Sequence, residues 1–198
     1  MGRLPSKAKK YGVDISSYAV NRAKKKFPKI EFITGDIYKL PFKDETFDLV
    51  YSMFVIEHVT EPEKVLVEAI RVLKNGGFFI LGAPNYGAPN RRSPVSNENK
   101  ISKLIMGLFK KTDGNSLNWT KVEPAKGKYF IDSDTQVEPY VLTLTNFLKK
   151  SDLKIIKASS LWEIDDFSLK QLPFRVLWQL DIYPFVWWGP QIFVIAKK

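Results

Sequence analysis

The sequence contains no cysteine and only one histidine, His58. Without cysteine, neither a disulfide framework nor a thiolate zinc site can form, and nothing in the composition indicates an oxidising compartment. The chain also lacks long apolar runs, since residues 1–7 carry no signal-peptide core and no uninterrupted apolar stretch is long enough to span a bilayer. We therefore expect a cytoplasmic protein that contacts membranes peripherally at most.

Acidic residues are fewer than basic ones, 21 against 31, which gives a formal net charge of +10. This charge favours anionic partners such as phosphorylated substrates, nucleic acid or an acidic membrane surface, although a solvated lysine-rich surface explains it equally well. With 198 residues and 44% hydrophobic content, the chain can bury one sizeable core but is short for two domains. We expect a single domain over residues 1–198.

Strand and helix patterns alternate along the chain. Helical spacing follows Ser16 or Ser17 as a cap. A second apolar stripe runs from Val65 to Leu73, and Thr60–Glu63 before it has the spacing of a capping box. β-rich runs predict strands at Tyr11–Asp14, Ile30–Thr34, Phe47–Ser52, Gly77–Gly82, Leu153–Ala158 and Gln191–Ala196. This alternation predicts an α/β fold with an open, mostly parallel sheet and helices on both faces, the last strand being antiparallel. Its ligand site should lie beyond the carboxyl ends of the strands.

Residues 85–138 break this pattern, because they are rich in Pro, Asn, Gly, Ser and Lys and show only a short helical stretch near Ile101–Phe109. Long segments of this kind are often functional lids. We predict a substrate-side insertion or lid here. The aromatic stretch Leu172–Trp178, with Trp187 and Trp188, is either an interfacial surface or a helix and turn packed on the sheet.

Four segments carry a family resemblance: Gly12–Ser16, Gly35–Phe42, Phe47–Val59 and Arg71–Gly77. In this order and spacing they resemble the class I S-adenosylmethionine-dependent methyltransferases of the ubiquinone/menaquinone-biosynthesis type. The resemblance implies a Rossmann-like, mostly parallel sheet with strand order 3-2-1-4-5-7-6. It also implies methyl transfer from S-adenosylmethionine to a small or lipid-linked acceptor, with S-adenosylhomocysteine as the product.

The resemblance also implies which residues hold the cofactor. Asp14 would accept hydrogen bonds from the ribose hydroxyls, and Ile15 would pack beside the adenine. Asp36 would accept from the exocyclic amine, and the N–H of Ile37 would serve a ring nitrogen. Structural alternatives stay open, since Asp14 can cap a helix, Asp36 can make a turn and Ile15 can be ordinary core.

Ser52 and Met53 would line the methionine part of the cofactor, although Met53 can equally be packing material. His58 lies just past this strand, where a neutral imidazole can take a proton from the attacking acceptor, and a structural or capping role accounts for it equally well. Some relatives bind a divalent metal through Glu-x-x-Glu-His. Here Phe54 occupies the first position and no second histidine exists, so we expect no metal.

The family's first strand, its glycine-rich loop and the following helix are missing before Tyr11. Only ten residues precede it, and Gly2 is the only glycine among them. We therefore expect strands 2 to 7 of the fold and a truncated chain. The missing strand is central in the family, so its two neighbours lose a partner. Direct pairing of those neighbours, exchange with a second copy in a homodimer, or a separate polypeptide can fill the gap.

Two further functions remain alternatives to an enzyme. One is a non-catalytic binding or structural protein that keeps the methyltransferase fold, which the missing glycine loop supports. The other is a basic RNA-binding module, which we do not favour, whose phosphate contacts would come from Arg91, Arg92, Lys100, Lys103, Lys110 and Lys111.

Overall fold

The computed structural model describes residues 7–89, 91, 93, 101–103, 105, 116–122, 134–161 and 172–198. Its elements in chain order are β1 (Tyr11–Asp14), α1 (Ser17–Lys26), β2 (Glu31–Thr34), β3 (Phe47–Met53), α2 (Pro62–Val72), β4 (Leu73–Pro84), β5 (Thr120–Lys121), β6 (Val137–Glu138), α3 (Val141–Lys150), β7 (Lys154–Leu161), α4 (Leu172–Gln179) and β8 (Gln191–Lys197). All six predicted strands are present. Within 101–109, the described residues 101–103 and 105 are helical and the others lie outside the described part.

The strands form two main sheets. β1 and β2 pair in parallel, and a second sheet has the order β3-β4-β8-β7. β3 and β4 are parallel, whereas β8 is antiparallel to both of its neighbours. The predicted parallel pairing of the early strands and the antiparallel last strand are therefore confirmed.

Side-chain size and helix capping explain how the segment β1-α1-β2 folds. Gly12 lies opposite Phe32, and a Cβ at Gly12 would come within 2.6 Å of the Phe32 ring, so only glycine fits beneath it. The hydroxyl of Ser16 accepts the N–H of Ala19 at 3.2 Å and caps α1. Ser16 is thus the cap among the two serines that the sequence offers.

The start of β4 differs from the prediction. The helix α2 ends at Val72, and Leu73 already pairs with Phe47, so the strand begins four residues before Gly77. The next pair is Leu49 with Phe78, which leaves the residues between them in a bulge. Gly76 supplies a backbone φ of 80° there. This glycine therefore serves a bulge in the strand and does not end the helix.

The start of α2 is stabilised from outside the helix. The predicted capping box does not form, because Glu61 occupies the cap position and makes no side-chain cap bond. Instead, the hydroxyl of Tyr38 accepts the N–H groups of Thr60 at 3.0 Å and Glu61 at 3.2 Å. The turn after β2 is thereby attached to the beginning of α2.

The main core lies between the larger sheet and the helices α2 and α3. Its fully buried side chains are mostly aliphatic and include Leu66, Leu73, Phe79, Leu81, Leu144, Leu148, Ile192 and Val194. Burying one such side chain contributes roughly 1.5–3 kcal/mol. Most of the core packing therefore involves the larger sheet.

A gap between β1 and β3 separates the two sheets. Tyr11 begins β1 and Phe47 begins β3, and their ring centroids lie 5.6 Å apart, with Phe42 contacting both rings. The order across the molecule is therefore β2-β1, the gap, then β3-β4-β8-β7. This is the expected family order with its first strand left out. Among the described residues, β1 and β3 do not pair directly, so that way of filling the gap is not used.

The aromatic segment packs on the edge of the larger sheet. The indole of Trp178 donates to the carbonyl of Ser160 at 2.7 Å, and that of Trp187 donates to the carbonyl of Ala158 at 3.2 Å. These bonds support a helix and turn packed on the sheet, while Leu172, Phe174 and Val176 of α4 are each 44% exposed. None of the helices in the described part is long and apolar enough to cross a bilayer.

Candidate functional site

A cleft of about 810 Å³ runs along the gap between β1 and β3. Its amino end contains Lys9, Lys10 and the Tyr11–Phe47 contact, and its carboxyl end contains Asp14 and the end of β3. The side walls come from α1 and α2. The carboxyl end corresponds to the edge where open α/β sheets bind their ligands.

Asp14 ends β1 at this edge. Its Oδ1 accepts the N–H of Ser16 at 2.8 Å, so Asp14 makes a local turn before α1, whereas the cap of that helix is Ser16. A carboxylate offers about four lone-pair sites, so this single bond leaves capacity for two ligand hydroxyls. The next residue, Ile15, is 78% exposed, which excludes ordinary core burial.

The turn after β2 places Asp36 and Ile37 next to each other. Asp36 Oδ1 accepts the N–H of Tyr38 at 2.8 Å, and its carbonyl accepts the N–H of Lys39 at 3.1 Å, so Asp36 does make a turn. The N–H of Ile37 has no acceptor among the described residues. Ile37 also lines the cleft, so its backbone donor lies next to the ligand space.

The end of β3 brings Ser52 and Met53 to the same cleft. Tyr51 lines it as well, and burial raises the pKa of its phenol above the ordinary value. The following residue, Phe54, adopts a φ of 55°, and its N–H donates to the carbonyl of Gly82 at 2.9 Å. Positive φ is strained for a bulky side chain. Sequence reasoning missed this feature because no residue-type signal marks it.

His58 lies in a short 3₁₀ turn beyond β3 and does not line the cleft. Its Nδ1 is 3.3 Å from both the carbonyl oxygen and Oδ1 of Asp134. Its Nε2 is 3.7 Å from Oε1 of Glu57, a carboxylate that is only 2% exposed. The N–H of Gln136 donates to the carbonyl of Glu57 at 2.7 Å. Asp134 of the 85–138 segment therefore contacts this histidine and Gln136 contacts the neighbouring Glu57, and no local sequence signal indicated Asp134.

The structure brings four of the predicted cofactor residues to one cleft: Asp14, Ile37, Ser52 and Met53. Asp36 adjoins them through the turn, Ile15 is exposed beside them, and His58 lies outside the lining. In the described part of the chain, no group of three or more acidic or histidine side chains is placed to hold a metal ion.

The structure describes two of the predicted phosphate-contacting residues, Arg91 and Lys103. Lys103 is buried, and its Nζ donates to the carbonyls of Tyr86 and Arg91 at 2.8 Å each. The guanidinium of Arg91 lies 5.1 Å from the Tyr86 ring centroid. The prediction that Lys103 contacts phosphate is therefore wrong. Four others lie outside the described residues: Arg92, Lys100, Lys110 and Lys111.

Comparison with known sequences matches residues 2–81 to the family model described as methyltransferase domain. The chain is 38% identical over 78 residues to a demethylmenaquinone methyltransferase of Renibacterium salmoninarum, covering 38% of this chain and 33% of that protein. It is 39% identical over 70 residues to the ubiquinone/menaquinone biosynthesis C-methyltransferase UbiE of Campylobacter jejuni, covering 35% of this chain and 30% of that protein. The match thus spans about a third of the length of these relatives.

Comparison with solved structures extends the likeness to the whole fold. An S-adenosylmethionine-dependent methyltransferase from Mesorhizobium loti has a TM-score of 0.57 at 19% identity, over 95% of this chain and 79% of the other. A SAM-dependent methyltransferase from Aquifex aeolicus has a TM-score of 0.52 at 15% identity, over 97% of this chain and 70% of the other. At such identities the likeness establishes the fold.

Proposed function

We propose that this chain binds S-adenosylmethionine and transfers its methyl group, because residues 2–81 match the methyltransferase-domain family model and the fold is like that of solved S-adenosylmethionine-dependent methyltransferases. The observation that carries the proposal is the set of predicted cofactor residues around one cleft at the carboxyl ends of β1 and β3: Asp14, Ile37, Ser52 and Met53. S-adenosylmethionine supplies an electrophilic methyl on a sulfonium, and S-adenosylhomocysteine is what remains after transfer.

The described residues fit the nucleoside part of this cofactor. Asp14 would accept the two ribose hydroxyls with the lone pairs that its bond to Ser16 leaves. The N–H of Ile37 would donate to a ring nitrogen of adenine, and the Asp36 carboxylate would accept from the exocyclic amine. Exposed Ile15 would cover one face of the base and lose its contact with water.

The methionine part would lie along Ser52 and Met53. The residues that directly precede β1, Lys7 to Lys10, contain no glycine and form no helix start. A glycine loop and helix N-terminus normally provide the backbone N–H groups that receive a ligand carboxylate. A chain tested without such a loop would lack several charge-assisted bonds, each worth about 1.5–3 kcal/mol, so its dissociation constant would rise from micromolar to around millimolar.

The acceptor would be a small or lipid-linked molecule held on the side of residues 85–138, as an insertion in a single domain over 1–198. Contacts of Asp134 and Gln136 with the His58 turn support this placement. Direct in-line displacement mainly requires that the acceptor be positioned against the methyl. A cytoplasmic location fits the cysteine-free composition.

His58 would take the proton that the acceptor loses. With the N–H on Nδ1 donating to Asp134, Nε2 carries the lone pair and can act as the base. Because His58 is about one third exposed and does not line the cleft, the acceptor would have to lie between this turn and the end of β3. Asp134 would then be a positioning residue that fixes the tautomer of the ring.

The test is a titration of the purified chain with S-adenosylhomocysteine, followed by NMR so that millimolar binding is measurable. We expect saturable binding in the millimolar range, weakened by about 1–3 kcal/mol in Asp14→Ala because hydrogen bonds to the ribose are lost. Asp14→Asn is the matched control, since its amide oxygen can still accept from Ser16 and keeps the local turn. Unchanged affinity in Asp14→Ala would reassign this residue to the turn alone.

A non-catalytic role is the second candidate, and the open gap beside β1 favours it. In that case the chain binds S-adenosylhomocysteine as above but forms none of it from S-adenosylmethionine, even with acceptor extracts present. Micromolar binding by the chain alone would show that another element replaces the glycine loop and would remove the main support for this candidate.

A further inference from the structure

The helix α4 turns an apolar side towards the solvent. The indole of Trp178 donates to the carbonyl of Ser160 in β7, which identifies the side of α4 that faces the sheet. With about 3.6 residues per turn, the positions nearest the opposite side are Leu172, Pro173, Val176 and Leu180, and all four are exposed. A surface helix of a globular protein normally carries polar residues there.

The turn after α4 extends this apolar surface. Leu180 is 65% exposed, and Ile182 and Tyr183 are exposed as well. The N–H groups of Leu180 and Ile182 donate to the carbonyls of Val176 and Leu177 at 3.1 and 3.0 Å, so the turn continues directly from the helix. We call the following residues the apolar face: Leu172, Pro173, Val176, Leu180, Ile182 and Tyr183.

Bonds to the larger sheet hold the apolar face in place. The indole of Trp187 donates to the carbonyl of Ala158 at 3.2 Å, and the hydroxyl of Ser160 accepts the N–H of Gly189 at 2.6 Å. The rings of Tyr183 and Trp187 are in edge contact, with centroids 5.5 Å apart. The exposure of the apolar face is therefore built into the packing of this segment, and contiguous exposed apolar surface marks an interaction site.

We propose that the apolar face inserts into the surface of a lipid bilayer. Residues 172–190 contain only two charged side chains, Arg175 and Asp181, whose formal charges cancel. A helix and turn of this kind can enter the boundary between headgroups and acyl chains without moving a net charge out of water.

The aromatic residues around the apolar face suit the headgroup region. Trp178 and Trp187 are half-buried where the segment is bonded to the sheet, and Tyr183 is exposed. Tryptophan and tyrosine are enriched at the level of the headgroups, because their rings are apolar and their N–H or O–H groups are polar. The aliphatic side chains of the apolar face would then lie deeper than these rings.

Charge supports a bilayer that contains anionic lipids. The formal net charge of the chain is +10, and Lys154 and Lys157 belong to β7, the strand to which the segment is bonded. Anionic headgroups attract such a chain. The acidic residues nearest in sequence are Asp181 and, outside the described residues, Glu163, Asp165 and Asp166. Apolar contact therefore provides most of the binding, and the positive net charge adds a preference for anionic lipids.

A protein partner is a poorer occupant of the apolar face. A stable interface between proteins takes about 20–30 residues from each side, whereas a bilayer accepts a small apolar face without a complementary surface. Two copies of this chain would also repel each other, since each carries a formal net charge of +10. The proposal concerns α4 and the turn after it, and it does not depend on cofactor binding or methyl transfer.

The test mixes the purified chain with vesicles of phosphatidylcholine and phosphatidylglycerol in equal amounts, and flotation separates bound from free chain. We expect saturable binding that is weaker but measurable with phosphatidylcholine alone. Val176→Asp should weaken binding to the mixed vesicles at least about tenfold, because its carboxylate would have to leave water. Absence of binding by the unaltered chain would overturn the proposal.

Val67→Asp is the matched control. Val67 is exposed on α2, outside the apolar face, so the same substitution adds the same charge elsewhere on the molecule. This variant should bind like the unaltered chain. Circular dichroism melts check that both variants fold, and Leu180→Asp replaces Val176→Asp if the latter does not. Equal binding by the two variants would show that net charge alone holds the chain on the vesicle, and the proposal would fail.

A fluorescent label locates the contact. Because the chain contains no cysteine, Val176→Cys provides a single site for a fluorophore whose emission shifts to the blue in apolar surroundings. We expect this shift when the mixed vesicles are added, and none with the label at Lys43→Cys, an exposed position before β3. A shift at both positions, or at neither, would contradict insertion of the apolar face.

Sedimentation of the chain without vesicles tests a second copy as the occupant. The proposal expects a monomer whose mass does not change with concentration. A dimer that Val176→Asp abolishes and Val67→Asp does not would assign the apolar face to a second copy, and the bilayer would be excluded as its partner.

Discussion

Phe54 adopts a backbone conformation that a bulky side chain does not favour. Its φ of 55° lies in the left-handed region, and it stands between the cleft residue Met53 and the turn that carries His58. Its side chain is 43% exposed, so it is not a core residue whose packing would hold this conformation. Strained residues persist where the surrounding structure fixes them, and they concentrate at functional sites.

We predict that Phe54→Gly is more stable than Phe54→Ala by about 1 kcal/mol. Both variants lose the aromatic ring, but only glycine adopts positive φ without a steric cost. Urea denaturation of the two variants measures the difference directly. Equal free energies of unfolding would show that the backbone at this position is not strained.

The sequence predicted site residues where the signal is local. Asp14 follows a recognisable strand, and its position beside the cleft needed only the strand direction. The contact between His58 and Asp134 was not predictable, because these residues are far apart in sequence. It depends on how the intervening segment returns to the sheet. The strain at Phe54 likewise depends on its bond to Gly82.

At the level of elements, α2 is joined to the loop before β3 by a network of charged groups. The Arg71 guanidinium donates to both Glu68 carboxylate oxygens, at 2.7 and 2.8 Å, and to Asp44 at 2.6 Å. Oε1 of Glu68 also accepts the N–H of Leu40 at 2.7 Å. The hydrogen bond from Arg71 lowers the pKa of Glu68 below its ordinary value.

We predict that Glu68→Gln destabilises the chain by about 1 kcal/mol at neutral pH and that this difference shrinks as the pH falls below the ordinary pKa of glutamate. Because the folded pKa of Glu68 lies below the unfolded one, its contribution is complete above the unfolded pKa and is lost as pH falls through the folded pKa. Urea titrations at several pH values measure this. Glu61→Gln, which removes an exposed ion pair with Lys64, is the control and should change little at any pH.

Element types were predictable from local periodicity, and their boundaries were less so. β1, α1 and β8 follow from alternation, capping and apolar runs that each occupy a few residues. The early start of β4 depends on Leu73 pairing with Phe47 in a different strand, and the start of α2 depends on the Tyr38 hydroxyl. Neither partner is visible from the segment itself.

For the whole molecule, the gap divides the fold into parts of unequal stability. The unit β1-α1-β2 contributes only one short parallel ladder, and Val20 is its fully buried helix residue. In the larger sheet, β4 and β8 are paired along both edges and contain the buried Leu81 and Val194. Local opening is easiest where few buried contacts hold the backbone.

We predict that amides of β1 and β2 exchange with solvent deuterium much faster than those of β4 and β8. Hydrogen-exchange mass spectrometry resolves these segments. Equal protection of β1 and β8 in the free chain would contradict the division.

The position of β8 has a consequence for the time course of folding. Phe78 in β4 meets Lys197 in β8, and the amino group of Lys198 donates to the carbonyls of Ile70 and Leu73 at the end of α2. The middle of the larger sheet therefore cannot form until β8, which lies far along the chain, pairs with β4. Contacts between residues that are distant in sequence make folding slow. Until β8 arrives, β4 exposes an apolar edge, and this interval is when a newly made chain is most prone to aggregate.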